Sequence, residues 1–250
     1  MKAEFSRIII AVIISLLASS CRPAVQNSDP SQRIKGHPDK ALRTNNAFGH
    51  WEREAAYNER AARGNAELIF VGDSITQRWN GQGKQIWQKF YSSRNALNLG
   101  IDGDRTQNVL WRLENGNIDG ISPKAAVVLI GTNNASDGDS AEDIAAGIIA
   151  VCNKIRQKLP QTQILLMGIF PRGEMGCEIR DRNAKAGRIA SKIADGKMIH
   201  YMDIGEQFLE PDGSISKEIM YDSLHLTPKG YQVWAEAIEP KLAEIMGQEK

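Results

Sequence analysis

The sequence predicts a three-layer α/β/α domain, a parallel sheet between two layers of helices. Two observations carry this. Short runs of strand length recur between longer segments of helical periodicity, and the runs are mostly apolar throughout rather than alternating, as expected of strands covered on both faces. Turn residues (Gly, Asp, Asn) follow the first three runs, where a strand would hand over to a helix.

In chain order the strands are expected over 68–71 (Leu-Ile-Phe-Val), 96–99 (Ala-Leu-Asn-Leu), 126–130 (Ala-Val-Val-Leu-Ile), 164–167 (Ile-Leu-Leu-Met) and 198–202 (Met-Ile-His-Tyr-Met). Between them, 107–113 puts Val109, Leu110 and Leu113 on one helical face. The segment 141–159 repeats Ile144, Ile148, Val151 and Ile155, and 231–245 repeats Val233, Trp234, Ile238 and Leu242. No internal repeat or low-complexity tract interrupts the pattern.

The ends of the chain suggest where the protein works. Lys2 and Arg7 precede an apolar stretch over 8–18 and the small residues Ser19 and Ser20. That stretch is too short to span a bilayer comfortably and has the layout of a secretory signal. Cys21 follows at once, and Leu17-Ala18-Ser19-Ser20-Cys21 resembles the lipid-attachment site of bacterial lipoproteins, with Ala18 where Leu is usual. The sequence therefore predicts an exported chain, lipid-anchored through Cys21 on a bacterial membrane; the plainer alternative is an ordinary signal peptide and a periplasmic or secreted product. Residues 22–46 are polar, carry Pro23, Pro30 and Pro38, and read as a linker. The single domain is expected over 47–250, about 200 residues, ample for one core.

Charge and cysteine usage narrow the function. Lys and Arg (31) balance Asp and Glu (30), so nothing draws this chain to nucleic acid. Cys152 and Cys177 share no metal-ligand spacing; two free thiols and one disulfide both remain open. His37, His50, His200 and His225 are too scattered for a metal site, and there is no phosphate loop or dinucleotide fingerprint, so no cofactor is expected.

What remains points to acyl transfer. Gly72-Asp73-Ser74 closes the first strand, and Asp222-Ser223-Leu224-His225 precedes the last helix, together offering a nucleophile, a base and a group to orient the base. Gly100-Ile101-Asp102-Gly103 follows the second strand and Gly131-Thr132-Asn133-Asn134 the third. Ligands of open α/β sheets bind beyond the carboxyl ends of the strands, so the four segments converge on one rim. Each alone has a bland explanation. Ser74-Ile75-Thr76-Gln77 fits a helix capping box, Asp102-Gly103 is an ordinary turn pair, and Thr227-Pro228 starts a helix whether or not His225 works. Their coincidence favours catalysis. Without a second glycine after Ser74 there is no Gly-x-Ser-x-Gly, so Ser74 is expected on a looser turn than the strained nucleophile elbow.

The same segments carry a family resemblance. Residues 70–76 (Phe-Val-Gly-Asp-Ser-Ile-Thr), 98–104 (Asn-Leu-Gly-Ile-Asp-Gly-Asp), 131–134 (Gly-Thr-Asn-Asn) and 222–226 (Asp-Ser-Leu-His-Leu) resemble, in order, the four sequence blocks of the SGNH (GDSL-type) hydrolases. Residues 98–113 most resemble the branch around the catalytic subunits of intracellular platelet-activating-factor acetylhydrolase. The resemblance implies a flavodoxin-like sheet ordered 2-1-3-4-5 and activity on esters, often acetyl esters.

With that resemblance, Ser74 is the expected nucleophile, His225 the base and Asp222 its partner. The Ser74 and Gly103 backbone N–H groups and the Asn133 amide are the expected oxyanion hole. Gly103 is preferred to Gly100 on the family pattern, and Asp73 is expected to be a structural cap. The expected reaction is hydrolysis of short-chain, acetyl-type esters through an acyl-enzyme. O-acetylated carbohydrate is the first substrate choice because an exported, anchored enzyme meets glycans. The alternatives are a lipid esterase or lysophospholipase, an acetylhydrolase of the platelet-activating-factor type, and, in another class, a catalytically silent glycan-binding module. The expected partners are thus a small ester or acetylated glycan, with a membrane engaged only through the lipid anchor.

Overall fold

Five parallel strands form one sheet in the order β2-β1-β3-β4-β5 in the computed structural model, which describes residues 37–44 and 49–248. The leader, Cys21 and most of the 22–46 segment lie outside the described residues. Among those described, the elements run α1 (His50–Ala62), β1 (Leu68–Gly72), α2 (Ser74–Gln77), α3 (Lys84–Phe90), β2 (Ala96–Gly100), α4 (Thr106–Glu114), β3 (Ala125–Leu129), α5 (Thr132–Asp137), α6 (Ala141–Lys158), β4 (Gln163–Met167), α7 (Glu178–Ala190), β5 (Ile199–Met202) and α8 (Pro228–Met246). No helix among them is long and apolar enough to cross a membrane. The expected fold class and strand order are both observed.

The strands are apolar because their alternate side chains enter two different cores. From β1, Ile69 and Val71 join Val109, Ile144, Ile148 and Ala186 under α4, α6 and α7, while Leu68 and Phe70 join Trp79, Tyr91, Tyr231 and Trp234 under α3 and α8. β3 and β4 divide in the same way, Val128 and Leu166 facing one layer and Val127 and Leu165 the other. The second core is aromatic. Trp79 lies 4.4 Å from Tyr231 and 5.1 Å from Trp234, and Phe70 lies 4.8 Å from Tyr91 between ring centroids, the offset and edge contacts that aromatic quadrupoles favour. The fifth strand departs from expectation. Only Ile199 is buried while His200, Tyr201 and Met202 are half-buried, so this edge is less covered than the opposite edge, β2, which is buried at four of its five positions.

Helix ends follow local chemistry. Thr227 caps α8 by accepting the Gly230 N–H at 3.2 Å, with Pro228 in the first turn where its missing N–H costs nothing. Ser140 caps α6 by accepting from Asp143 N–H at 3.1 Å. Cys152 is a free, fully buried thiol on α6, pushed up to about 12 by desolvation, so the Cys152–Cys177 disulfide left open by the sequence does not form.

The linker reading changes at its downstream end. The Thr106 hydroxyl donates to the Pro38 carbonyl at 2.7 Å, the Asn108 amide to the Leu42 carbonyl at 3.0 Å, and the Leu42 N–H to the Gln107 carbonyl at 3.0 Å. Arg43 sits between Trp51 and Trp111, 4.6 and 4.8 Å from the two rings, and pairs with the buried Glu54. Residues 37–44 are thus an arm laid on the start of α4, held by backbone and cation–π contacts that hydropathy does not register.

Candidate active site

β1 runs straight into the nucleophile. A Cβ on Gly72 would collide with the Leu129 carbonyl and the Thr76 hydroxyl, so the last strand residue must be glycine for β1 to pass β3 and turn into α2. Asp73, not Ser74, caps α2, its carboxylate accepting the Ile75 N–H at 3.0 Å. That answers the capping-box alternative, because the Ser74 hydroxyl is left for other chemistry. Neither Asp73 nor Ser74 has positive φ, so the nucleophile turn is unstrained, as the missing glycine implies.

The expected base sits on a small hairpin. Met220 and Leu226 form an antiparallel bridge, and Tyr221 N–H donates to the His225 carbonyl at 3.2 Å. Asp222 shapes the tip by accepting the Leu224 and His225 N–H groups at 3.1 and 2.7 Å, while Ser223 takes a left-handed φ of 60°. Gly173 N–H ties the tip to the loop after β4 through the Ser223 carbonyl at 2.9 Å. The His225 ring then spans the site, with Nδ1 2.6 Å from Asp222 Oδ2 and Nε2 3.0 Å from Ser74 Oγ. Burial raises the Asp222 pKa, but the His225 ring and the two backbone donors outweigh it and hold the carboxyl down at about 2. An ionised Asp222 can only accept, so Nδ1 carries the hydrogen and Nε2 faces the serine hydroxyl as acceptor.

Across from the histidine, the loop after β2 is pinned at nearly every backbone group. Ile101 N–H donates to Gly72 O (3.2 Å), Asp102 N–H to Gln77 Oε1 (2.8 Å), Asp104 N–H to Ile101 O (3.2 Å) and Arg105 N–H to Asn108 Oδ1 (2.9 Å). Among the described residues the Gly103 N–H alone in this run has no acceptor, and Gly103 holds a φ of 77°. Gly100 N–H, by contrast, is taken by Asn98 Oδ1 at 2.9 Å, which separates the two glycines physically. Asn133 gives one amide hydrogen to the Asp104 carbonyl at 2.9 Å, which leaves the other for the site.

Several supporting residues escaped the sequence reading. Asp104 and Arg112 form an ion pair at 2.7 Å with no exposed surface, and Arg112 also reaches Asn117 at 2.6 Å. Arg172, buried after β4, donates to the Thr132 carbonyl and hydroxyl at 3.3 and 3.2 Å and to the Ser136 hydroxyl at 2.6 Å. Its charge also acts on Asp73 and Asp222. Desolvation lifts the Asp73 carboxyl to about 7, against the pull of the Ile75 N–H. Tyr221, 41% exposed, stacks at 21° to the His225 ring and accepts a hydrogen bond from Arg78. Only the two arginines left a trace in sequence, as cations inside apolar segments, and that pattern alone does not say what they touch.

A hydroxyl, an imidazole, a carboxylate and idle N–H groups gathered at the carboxyl ends of a 2-1-3-4-5 sheet are the equipment of a carboxylic ester hydrolase. The chain belongs to the GDSL-like lipase/acylhydrolase family, whose pattern matches residues 70–233. It is 37% identical to the human platelet-activating factor acetylhydrolase IB subunit alpha1 over 185 residues, 74% of this chain and 78% of that one. The rat alpha2 subunit is 42% identical over 167 residues, 66% and 71% of the two chains. Among solved structures, a GDSL-like lipase from Bacteroides thetaiotaomicron superposes with a TM-score of 0.63 at 18% identity, covering 79% of this chain and 99% of that one. An acetyl xylan esterase from Geobacillus stearothermophilus superposes with a TM-score of 0.57 at 19% identity, covering 75% and 97%.

Proposed function

We propose that the protein hydrolyses short-chain esters, acetyl esters above all, through an acyl-enzyme on Ser74. The observation that carries this is the unbroken chain from Ser74 Oγ to His225 Nε2 and from His225 Nδ1 to Asp222 Oδ2. His225 takes the Ser74 proton as Oγ attacks the ester carbonyl, then returns it to the leaving alcohol. Asp222 holds the ring in the required tautomer and stabilises the imidazolium. The Ser74 and Gly103 N–H groups and the Asn133 amide receive the charge that develops on the carbonyl oxygen. A water activated by the same histidine then releases the acid.

The acyl-group reading is supported by relatives named as platelet-activating-factor acetylhydrolase subunits at 37–42% identity. These favour an acetylhydrolase of that type over the acetylated-carbohydrate preference. The latter rests on an argument from location, and the likeness to an acetyl xylan esterase at 19% identity bears on fold alone. One experiment separates the readings: a chain-length series of p-nitrophenyl esters, with acetate release from an acetylated ether phospholipid and from acetylated xylan, on wild type and Ser74→Ala in parallel. Turnover of the acetyl ester, lost in Ser74→Ala, is expected, with the phospholipid ahead of the xylan. Inertness toward every ester would overturn the esterase reading in favour of a binding module. We also propose that Cys21 carries the lipid anchor, so that wild type but not Cys21→Ser partitions into detergent after expression in a bacterial host; unmodified wild type in the soluble fraction would rule the anchor out.

A further inference from the structure

His50, the first residue of α1 and 4% exposed, places Nε2 2.7 Å from the carbonyl oxygen of Asp102. A carbonyl can only accept, so Nε2 carries the hydrogen and donates. That carbonyl belongs to the same peptide unit as the Gly103 N–H. Every peptide bond described is trans, and in a trans unit C=O and N–H point to opposite sides. Whatever fixes the Asp102 carbonyl therefore fixes the direction of the Gly103 N–H.

This peptide needs an outside hold. Residues 101–104 form a β-turn closed by Asp104 N–H on the Ile101 carbonyl, and the φ of 77° at Gly103 is that of the third position of a type II turn. Type I and type II turns differ chiefly by a flip of the central peptide, here the one joining Asp102 to Gly103, and glycine tolerates both forms. A flip would turn the N–H away from its present direction while leaving the closing hydrogen bond in place. Gln77 Oε1 holds the N–H of Asp102 from the helix that begins at Ser74, but it acts on the preceding peptide. His50 alone, among the described contacts, grips the Asp102 carbonyl. The grip also polarises the amide, and a hydrogen bond accepted at C=O strengthens the N–H as a donor.

We propose that His50 is a positioning residue of the oxyanion hole, locking the Asp102–Gly103 peptide in the orientation that offers the Gly103 N–H to the reacting oxygen. This inference rests on the esterase reading above. Removing one oxyanion donor outright costs about 100- to 1,000-fold in kcat. His50 biases a donor that still exists, so a loss of about tenfold is expected from His50→Phe and from His50→Leu, two non-donors of different shape.

The test measures kcat and KM on p-nitrophenyl acetate, the labelling rate of a fluorophosphonate whose phosphoryl oxygen enters the same hole, and the thermal midpoint of each variant. The expected result is a fall in kcat with KM within about twofold, a parallel fall in labelling rate, and recovery of most of the loss in His50→Gln, whose side-chain amide can donate to the same carbonyl. Wild-type kcat in both non-donor variants would overturn the proposal. So would a loss confined to KM, or a His50→Gln enzyme no better than His50→Leu at equal thermal midpoint. Should one non-donor variant fail to fold, the other and His50→Gln still decide the matter. A wild type inert to both ester and probe would remove the esterase reading itself, and this inference with it.

Discussion

The two halves of the site are built differently. Ser74, Asp104 and Asn133 are buried, and the loop around Gly103 is held by bonds from α1, α2 and α5 and from its own turn. Asp222 and His225 ride on a hairpin at the surface, where the Asp222 side chain is 41% exposed and most of the restraint comes from Asp222 itself. The half that must meet a charge existing only at the transition state is over-determined, as preorganised electrostatics requires. The half that shuttles a proton needs only one correct ring orientation, and a three-residue turn supplies it.

This contrast can be broken or sharpened by substitution. The largest effect is expected from Ser74→Ala and His225→Ala, each lowering kcat by about 10⁶-fold because nucleophile and base act as one unit. The double variant is expected to be little worse than either single one, and additive losses would show that the two do not act together. Next comes Arg112→Leu on the buried side, which strands Asp104 without its partner and is expected to cost about 3–5 kcal/mol in denaturant unfolding. If stability were unchanged, the oxyanion loop would not owe its rigidity to this pair. Asn133→Ala is expected to lower kcat by about 100- to 1,000-fold at nearly constant KM. A change in KM alone would mean that the amide contacts the ground-state substrate.

A separate effect, read in stability rather than in rate, concerns pH. The folded Asp73 carboxyl is raised from 3.8 to about 7, chiefly by desolvation, so the folded state holds this proton more tightly than the unfolded chain does. The stability it contributes is full below pH 3.8 and is lost as pH rises through about 7. Asp73→Asn keeps an oxygen for the Ile75 N–H and is expected to flatten the thermal midpoint across that window. An unchanged slope would assign the pH dependence to another group.

Legibility in sequence follows the same division. The strands at 68–71, 96–99 and 164–167 are found within one residue of their expected ends, because residues covered on both faces leave continuous apolar runs. Ser74 was legible because the turn at the end of the first strand exposes Gly72 as punctuation, and Asp222 and His225 because a carboxylate and an imidazole stand three residues apart just ahead of the last helix. His50, Arg112 and Arg172 were not. Arg112 does pair with the nearby Asp104, but the bonds from His50 to Asp102, from Arg112 to the Gly72 carbonyl and from Arg172 to Thr132 cross 40 or more residues, and nothing in residue type or spacing encodes such contacts. The short helix Lys84–Phe90 also went unread, its Trp87 and Phe90 joining the aromatic core without forming a full amphipathic repeat.

The arm at 37–44 bears on how the domain is best produced in isolation. A fragment started at residue 47, where the sequence places the domain, would strip the acceptors from the Thr106 hydroxyl and the Asn108 amide. It would also leave the Glu54 carboxylate in its burial without Arg43. All three sites lie on or beside the helices that open on the Gly103 loop, so such a fragment begins life with its oxyanion side unbraced. Starting at His37 keeps the brace, and the two fragments compared by yield and thermal midpoint would show how far the working enzyme extends past its own sheet.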